Sequence, residues 1–492
     1  MNQNKTPLLD AVSSLIDTNP AYFRIPGHRL DRGVSPRWTR RVGTEIFAYD
    51  VTETPYTDDL HSPEGAILEA ETLLAALYGA DRSFFLVNGT TCGNEAMILS
   101  AALEGEKILI ARNAHKSAMM GLILSGAEPV YVMPEILEAW SIQGGIAPEA
   151  VRRAFAEHPD CKALFLVSPS YYGVASDLAR IAEICHAHGA LLLVDEAHGG
   201  HLYFHEALPM GALAAGADLC VQSMHKVTGA LTQSSVLHIK SHGIGEDILA
   251  RVADNLRLVQ STSPSYLLMT SLDCARYELA ADGAGMMARA LRMADEARAA
   301  IRAVSGFDCM GREVTGVSEI ADTDGTRLVI SAREMGLAGY ALEAELFERY
   351  AVNVELADSE NVLAVVTYAN TMEDMERLVE ACRQISVAGA RTQTRAQGLR
   401  QRFPALPEQA MTPRRAYFAK TQELAWRDAA GRIAAQALVP YPPGIPVICP
   451  GERITEEIWA YLEGFRREKR HIHGLAGGAS ARIRVIKESF FE

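Results

Sequence analysis

The stretch DLARIAEICHAHGALLLVDEAHGG, residues 177–200, contains the pattern that decides the fold. After an aspartate that suits a helix start, its first half spaces apolar residues at helical intervals. Its second half is an apolar run without polar alternation that ends at Asp195. A strand of this kind is typical of a parallel sheet that helices cover on both faces. The stretch therefore predicts one helix–strand unit of an α/β domain.

The same alternation continues on both sides of this unit, beginning at about residue 82. Short apolar runs predict seven buried strands, which are SFFLVNG, KILIAR, PVYVM, KALFLVSP, ALLLVDEA, DLCVQSM and SSVLHIK. Helical spacing separates them in TTCGNEAMILSAALEG, HKSAMMGLILSGA, PEAVRRAFAEH and DLARIAEICHAHG. The predicted fold is α/β, with a mainly parallel seven-stranded sheet in a large domain.

The pattern changes near residue 310, which predicts further domains. The runs TRLVISAR, VNVELAD and VLAVVTYA, interleaved with two amphipathic helices, indicate a smaller α+β domain. Beyond it, GARTQTRAQGLRQRF suggests an exposed helix or linker, and ALVPYPPGIPVICPGERIT an ordered, extended arm. The predicted divisions are an N-terminal segment or dimer arm at 1–60, the large domain at 61–310, the small domain at 311–390, and a C-terminal helical linker with the Pro/Gly-rich arm at 391–492.

Composition excludes several classes of function. The 492 residues carry a formal net charge of −14, which argues against nucleic acid as a partner because phosphate binding needs a basic face. No segment is apolar enough to span a membrane, and the N-terminus does not resemble a signal peptide. The eight cysteines are scattered without a CxxC pair, so no structural zinc site is expected. We expect a reduced, cytoplasmic protein.

Two residues about 30 positions apart suggest the chemistry. Lys226 lies in SMHKVTGALTQSS, where small hydroxyl residues and partial burial favour a neutral, nucleophilic amine. Asp195 ends a neighbouring predicted strand, so both side chains are expected at the carboxyl edge of the sheet. A lysine that reacts with an aldehyde and a carboxylate for a pyridine nitrogen are what the cofactor pyridoxal 5′-phosphate (PLP) requires from a protein.

A phosphate site is predicted where the strand in VNGTTCGNEAMI gives way to a helix. Thr90 and Thr91 follow a glycine there, so backbone N–H groups and hydroxyls converge at a helix N-terminus. Ser223 and His225, beside the lysine, are candidates to complete the cup around the phosphate.

Two further histidines are candidates for the same edge of the sheet. His115 in ARNAHKSAM lies where a strand gives way to a helix, which suits an imidazole stacked on the cofactor ring. His198, three residues after Asp195, is the weaker candidate. A histidine in either position is also compatible with a purely structural role.

These motifs, taken in order, resemble the Orn/Lys/Arg decarboxylase family of fold-type-I PLP enzymes, whose large domain is like that of aspartate aminotransferase. The resemblance is nearly end to end and is closest to the short form without the N-terminal wing domain, as in biosynthetic arginine decarboxylases. The matching segments are FRIPGHR, DDLHSPEG, FFLVNGTTCGNEAMI, RNAHKS, VDEAHGGH, SMHK, LTQSS, STSPSYLLMTSLD, AMTPR and YPPGIPVICPGE.

The resemblance implies a Schiff base between PLP and Lys226, with Asp195 at the pyridine nitrogen and His115 stacked on the ring. It also implies a homodimer with shared active sites, or a pair of such dimers. The remaining residues that it places against the cofactor are Thr90, Thr91, Ser223, His225, Ala197 and His198, with Thr262 entering from the neighbouring subunit.

The implied reaction is decarboxylation of a basic amino acid for polyamine biosynthesis, in which His225 or Lys226 returns a proton to the α-carbon. Arginine is the first choice of substrate, with lysine and ornithine next. An acidic residue must meet the distal cation, because an unpaired buried charge is costly. Glu452, Asp58 and Asp59 are the candidates.

Two other classes of protein fit parts of the pattern. An aminotransferase or another lyase of the same fold would share the lysine and aspartate, and an aminotransferase would add an arginine that clamps the substrate carboxylate. Arg327 and Arg333 are candidates for that clamp. A catalytically inactive PLP-binding regulatory protein is a third possibility, against which the complete set of cofactor residues argues.

Overall fold

The computed structural model describes residues 1–243, 247–389, 404–440, 445–467, 470–475 and 480–487. The helices are α1 (Pro7–Asp17), α2 (Pro36–Val42), α3 (Ala66–Tyr78), α4 (Gly89–Ala101), α5 (Lys116–Ser125), α6 (Pro148–Glu157), α7 (Leu178–Ala187), α8 (Met224–Val227), α9 (Ile248–Val259), α10 (Tyr266–Arg302), α11 (Gly339–Tyr350), α12 (Met372–Ala388), α13 (Pro413–Phe418) and α14 (Glu456–Arg467).

The strands of the first 240 residues are β1 (Arg82–Leu86), β2 (Lys107–Ala111), β3 (Glu128–Val132), β4 (Ile136–Leu137), β5 (Ile142–Gln143), β6 (Ala163–Val167), β7 (Val174–Ala175), β8 (Leu191–Asp195), β9 (Leu219–Gln222) and β10 (Ser235–Ile239). Those that follow are β11 (Asp308–Cys309), β12 (Asp322–Thr323), β13 (Arg327–Ser331), β14 (Leu356–Ala357), β15 (Asn361–Val365), β16 (Thr421–Ala425), β17 (Val439–Pro440), β18 (Ile472–His473) and β19 (Arg482–Ile486).

The large domain is built on a seven-stranded sheet in the order β1-β10-β9-β8-β6-β2-β3. The pairs β9-β8, β8-β6, β6-β2 and β2-β3 are parallel, whereas β10 runs antiparallel to both of its neighbours. All seven predicted strands are present, and the α/β fold with a mainly parallel sheet is confirmed. Because β10 is reversed, β1 points the same way as the parallel strands.

Local sequence explains why the unit α7–β8 forms. The Asp177 carboxylate accepts the backbone N–H of Arg180 at 3.1 Å and so caps α7, which buries one face. The helix is followed by Gly189, which has φ +67°, and the chain turns into β8. All five residues of β8 are buried, as expected for a strand that helices cover on both faces.

Close packing of α4 on the sheet depends on Gly93. A Cβ at this position would lie 2.6 Å from Val221 Cγ1 and 2.7 Å from Leu86 Cδ1, closer than carbon atoms can approach. The glycine therefore lets the start of α4 approach β1 and β9, where the phosphate site is predicted.

A second, antiparallel sheet has the order β11-β13-β15-β14 and packs with α11, α12 and the C-terminal part of α10 around its own core. This is the predicted α+β arrangement. A further core lies between α14, β19 and the segment around Ile448. The four domain divisions proposed from the sequence remain a prediction, and residues 390–403 of the predicted helix or linker lie outside the described residues.

The predicted extended arm is described by the structure except for residues 441–444. Its described part is ordered. Leu438 and Ile448 pair as an antiparallel bridge, and Val447, Ile448 and Cys449 are buried. Among the helices in the described ranges, none combines the length and the apolar character needed to cross a bilayer.

Candidate active site

The carboxyl ends of the sheet strands bring most of the predicted site residues to one edge. Asp195 is the last residue of β8, and Ser223 follows β9 directly. His115 follows β2, whereas Thr90 lies in the first turn of the helix after β1. Because these four strands point the same way, their ends share one edge of the sheet.

Lys226 lies in the short helix α8, and its amine is held within the protein. Its Nζ lies 2.9 Å from His198 Nε2 and 5.6 Å from the centroid of the Tyr171 ring. Burial lowers the pKa of Lys226, although the charges of Asp195 and Glu355 act in the opposite direction. A lysine with a lowered pKa is more often neutral, which a nucleophilic amine requires.

Asp195 is 3% exposed, and its charge acts on both Lys226 and His115. Its Oδ2 accepts a hydrogen bond from Asn94 Nδ2 at 2.7 Å, and its Oδ1 accepts one from the backbone N–H of Ala197 at 3.1 Å. Both donors are neutral, and among the described residues no lysine or arginine forms an ion pair with this carboxylate. A buried carboxylate without a fixed cation suits a ligand that brings a positive charge.

His115 is the N-cap of α5, and its Nδ1 accepts the backbone N–H of Ser117 at 3.3 Å. Its Nδ1 also lies 2.9 Å from Ser117 Oγ. Burial lowers the pKa of His115, while the charge of Asp195 raises it by less. The imidazole is therefore mostly neutral at physiological pH, which suits a ring that stacks on an aromatic cofactor.

Two hydroxyls meet at the N-terminus of α4. Thr90 Oγ1 lies 3.0 Å from Ser223 Oγ, and Thr91 follows in the same helical turn. Gly89 begins the helix with φ +72°, a conformation that favours glycine. Free N–H groups and hydroxyls at a helix N-terminus are suited to bind an anion, and the phosphate site at this position stays a prediction.

The two histidines near Lys226 have different partners. His225 Nδ1 lies 3.0 Å from the carbonyl oxygen of Ser234, to which it donates, so Nε2 carries the lone pair of the neutral ring. Burial lowers the pKa of His225, and it lowers that of His198 further, to well below the ordinary value. A neutral His198 accepts a hydrogen bond from the Lys226 amine, so the weaker of the two sequence candidates contacts the lysine directly.

The acidic residues predicted to bind the substrate's distal cation are hydrogen-bonded to other groups of the chain. Both Glu452 oxygens accept hydrogen bonds from the Arg112 guanidinium, at 2.6 and 2.9 Å, and both side chains are buried. Asp58 accepts the backbone N–H groups of Gly65 and Ile67 at 2.8 and 2.9 Å and thereby caps α3. Glu452 and Asp58 are thus already satisfied within the chain, which argues against the role predicted for them.

Asp59 and Asp58 differ in their surroundings. Asp59 is exposed, and its Oδ1 accepts the backbone N–H of His61 at 2.8 Å. Burial opposes ionisation of Asp58, but the backbone N–H donors outweigh burial and lower the pKa of this carboxyl. Both aspartates therefore act in the turn that leads into α3, and the structure shows neither beside Lys226.

The arginines considered for an aminotransferase clamp also have partners. Arg327 is buried, donates from Nη2 to the carbonyl oxygen of His198 at 3.1 Å and lies 3.6 Å from Asp324. Arg333 lies beside Trp140 and 3.6 Å from Glu360. Arg327, from the small domain, therefore fixes the backbone at His198. Arg333 instead joins the segment around Trp140 to the small domain.

Sequence reasoning missed Tyr171 and Asn94. The Tyr171 ring lies 4.3 Å from the His198 ring, and it follows β6 at the same sheet edge as Asp195. Asn94 lies one helical turn after Thr90, so it shares that face of α4. Their positions after a parallel strand and on the phosphate-site helix were signals available in the sequence.

The fold and the combination of Lys226, Asp195 and His115 are those expected of a PLP-dependent enzyme of fold type I. The chain belongs to the Orn/Lys/Arg decarboxylase family: the family's major domain matches residues 6–374 and its C-terminal domain matches residues 396–478. It is an amino-acid decarboxylase that acts on a basic amino acid.

Relatives match over almost the whole chain. The arginine decarboxylase of Halalkalibacterium halodurans is 40% identical over 99% of this chain and 98% of its own length. The arginine decarboxylase of Bacillus subtilis is 38% identical over 99% of both chains. The lysine decarboxylase LdcF of Francisella novicida has the same fold, with a TM-score of 0.84 at 20% identity over 98% of this chain and 81% of that one.

The residues present fit PLP. The amine of Lys226 suits the aldehyde, the carboxylate of Asp195 suits a protonated ring nitrogen, and the neutral His115 suits one ring face. The hydroxyls of Thr90 and Ser223 at the start of α4 suit the phosphate. The chemistry of this donor set therefore matches the aldehyde, the ring nitrogen and the phosphate of the cofactor.

Replacing Glu452 is expected to destabilise the fold. In Glu452→Gln the buried Arg112 charge loses its counter-ion, which costs about 3–5 kcal/mol for pairs of this kind. The unfolding midpoint in urea should fall accordingly, without a change in which amino acid is preferred. The control is the double variant Arg112→Met with Glu452→Met, which removes both charges and should recover most of the loss. A single variant as stable as the wild type would contradict this account.

Proposed function

We propose that this chain converts arginine to agmatine and acts in the cytoplasm as a step of polyamine biosynthesis. The observation that carries the proposal is its 40% identity, over 99% of the chain, to a protein named arginine decarboxylase. The eight cysteines are free, and seven of them are buried, which supports a reducing compartment.

Bound PLP supplies an electron sink for the electron pair that remains on the α-carbon when CO₂ departs. Asp195 holds the ring nitrogen in its protonated form, because its buried carboxylate has only neutral donors in the described chain. Asn94 fixes the orientation of that carboxylate through Oδ2. His115 would cover one face of the ring and exclude water from that face.

Proton transfer falls to Lys226 and the histidines beside it. Lys226 Nζ carries the proton that the α-carbon takes up, and His198 Nε2 holds that amine in place at 2.9 Å. His225 is the alternative donor, but its Nδ1–H is directed at the carbonyl oxygen of Ser234 at 3.0 Å, so in the neutral ring Nε2 has no proton to give. We therefore assign the proton at the α-carbon to Lys226.

The test is to incubate the purified protein with arginine, lysine and ornithine in turn and to quantify agmatine, cadaverine, putrescine and CO₂. We expect equal amounts of agmatine and CO₂ from arginine, at a higher kcat/KM than for the other two amino acids. Preference for lysine or ornithine would contradict the arginine assignment. An oxo acid in place of an amine would indicate an aminotransferase, and binding without turnover would indicate a regulatory protein.

The active unit in this proposal is a homodimer with shared sites, or a pair of such dimers. Apolar side chains of the N-terminal segment support it, since Phe23 is 88% exposed and Ile25 is 62% exposed in the single chain. Thr262 is also exposed, next to Ser261, whose carbonyl oxygen lies 2.8 Å from His61 Nε2. In the dimer this loop approaches the phosphate of the partner's site.

Subunit mixing tests the shared site. Two inactive variants, Lys226→Ala and Thr262→Trp, are combined under conditions that exchange subunits. A hybrid dimer then has one site with both defects and one site with neither, so about a quarter of the wild-type activity should return at equal mixing. The control omits subunit exchange and should stay inactive. No recovery in proven hybrids, or a fully active monomer, would contradict the shared site.

A further inference from the structure

We propose that the Glu355 carboxylate binds the distal cation of the substrate, an inference that rests on the proposed function. Every basic amino acid brings a second positive charge at the end of its side chain. When its α-amine reaches Lys226, that charge enters the protein, where leaving it without a counter-ion is costly. A carboxylate near Lys226 that no protein cation occupies is therefore required.

Two carboxylates near the lysine are already engaged. Asp195 is committed to the ring nitrogen, as argued above. Asp324 lies 3.0 Å from His201 Nε2 and 3.6 Å from the Arg327 guanidinium, and all three side chains are buried. Neither carboxylate is free to meet a further cation.

Two more carboxylates are held by neutral donors. Glu196 accepts hydrogen bonds from Gln222 at 2.7 Å and Tyr203 at 2.9 Å, and it is completely buried. Asp358 accepts one from Tyr172 at 2.6 Å and is also bound by Asn361. Both are enclosed by partners, so a substrate side chain cannot reach them without displacing those partners.

Glu355 differs from all four. It lies on the segment between α11 and β14, and its Oε1 accepts a hydrogen bond from the Tyr171 hydroxyl at 2.5 Å. The Tyr171 ring in turn contacts His198 at 4.3 Å between centroids and lies 5.6 Å from Lys226 Nζ. The Tyr171 side chain therefore contacts Glu355 through its hydroxyl and lies beside the Lys226 amine with its ring.

The environment of Glu355 leaves it open to a ligand. Its side chain is exposed in the single chain, and within the described ranges it forms no ion pair. Its negative charge acts against burial, which lowers the pKa of Lys226 and of His225, so Glu355 lies within electrostatic range of both groups. With Oε1 held by Tyr171, Oε2 faces no other donor in the described chain and is available for an ammonium or a guanidinium.

The test compares Glu355→Gln with wild type and with Glu348→Gln, a matched loss of an exposed glutamate from α11. Steady-state kinetics are measured with arginine and with citrulline, its neutral analogue, and agmatine binding is measured by calorimetry. We expect Glu355→Gln to raise the KM for arginine and the Kd for agmatine by about 30- to 100-fold, with a much smaller change in kcat. Citrulline should be unaffected, and Glu348→Gln should behave as wild type.

Conservative replacement separates charge from structure. Glu355→Asp keeps the charge and should retain more affinity for agmatine than Glu355→Gln, with equal PLP content in both. KM and Kd values within about twofold of wild type in Glu355→Gln would overturn the proposal. If the wild type prefers lysine or ornithine, the arginine assignment fails, and the same comparison made with that substrate and its amine still tests Glu355.

Discussion

Lys226→Ala is expected to remove decarboxylase activity almost completely. The variant loses the amine that anchors PLP and also the proton donor, and proton transfer by a positioned side chain alone contributes about 10²- to 10⁴-fold. Burial lowers the pKa of this lysine, and His198 lies 2.9 Å from its Nζ, so the amine is both more nucleophilic and fixed in place. This is the largest effect that we expect from a single substitution.

The measurement is CO₂ release from carboxyl-labelled arginine at saturating PLP, so that weaker cofactor binding does not limit the rate. Lys162→Ala is the control, since this lysine precedes β6 at the opposite end of the strand and its side chain is about half exposed. It should keep wild-type activity. Turnover by Lys226→Ala within tenfold of wild type would show that another group performs its role.

Asp195→Asn is expected to lower kcat/KM by about 100- to 1000-fold while the fold is retained. Removing one preorganised electrostatic group of this kind typically has that effect on the rate. The amide keeps the shape of the side chain and can still accept from Asn94 or Ala197, but it cannot stabilise a protonated ring nitrogen. The loss should therefore fall mainly on kcat.

Steady-state kinetics and the unfolding midpoint in urea are measured together for this variant. Asp160→Asn, an exposed aspartate, is the control and should change neither quantity. A large loss of stability in Asp195→Asn would assign the aspartate to the fold instead of to the reaction. Near-normal turnover would show that Asp195 does not partner the ring.

The sheet and the central pair of residues were predictable from the sequence because both follow from local patterns. The seven apolar runs predicted seven strands, and the parallel order brings strand ends to one edge whatever the details of packing. Asp195 ends one such strand and Lys226 follows the next one, so their proximity required no knowledge of long-range contacts. Asn94 and Tyr171 follow the same rule and were accessible by the same reasoning.

The role of an acidic side chain was not predictable in the same way. Glu452 meets Arg112 across 340 positions, and Glu355 meets Tyr171 across 184, so no local spacing signals either contact. The sequence made Asp58 a candidate for binding the distal cation, but its carboxylate caps a helix that begins eight residues later. Whether a carboxylate is free or paired depends on the tertiary fold, and so the three acidic candidates could not be ranked beforehand.

The most direct test of the account is to locate the lysine that holds PLP. The purified enzyme is reduced with borohydride, digested with protease, and its peptides are analysed by mass spectrometry. The account predicts one modified peptide, which carries the reduced cofactor on Lys226 and loses the modification in Lys226→Ala. Cofactor attached to a different lysine, or a wild-type enzyme that decarboxylates without any trapped cofactor, would contradict the account.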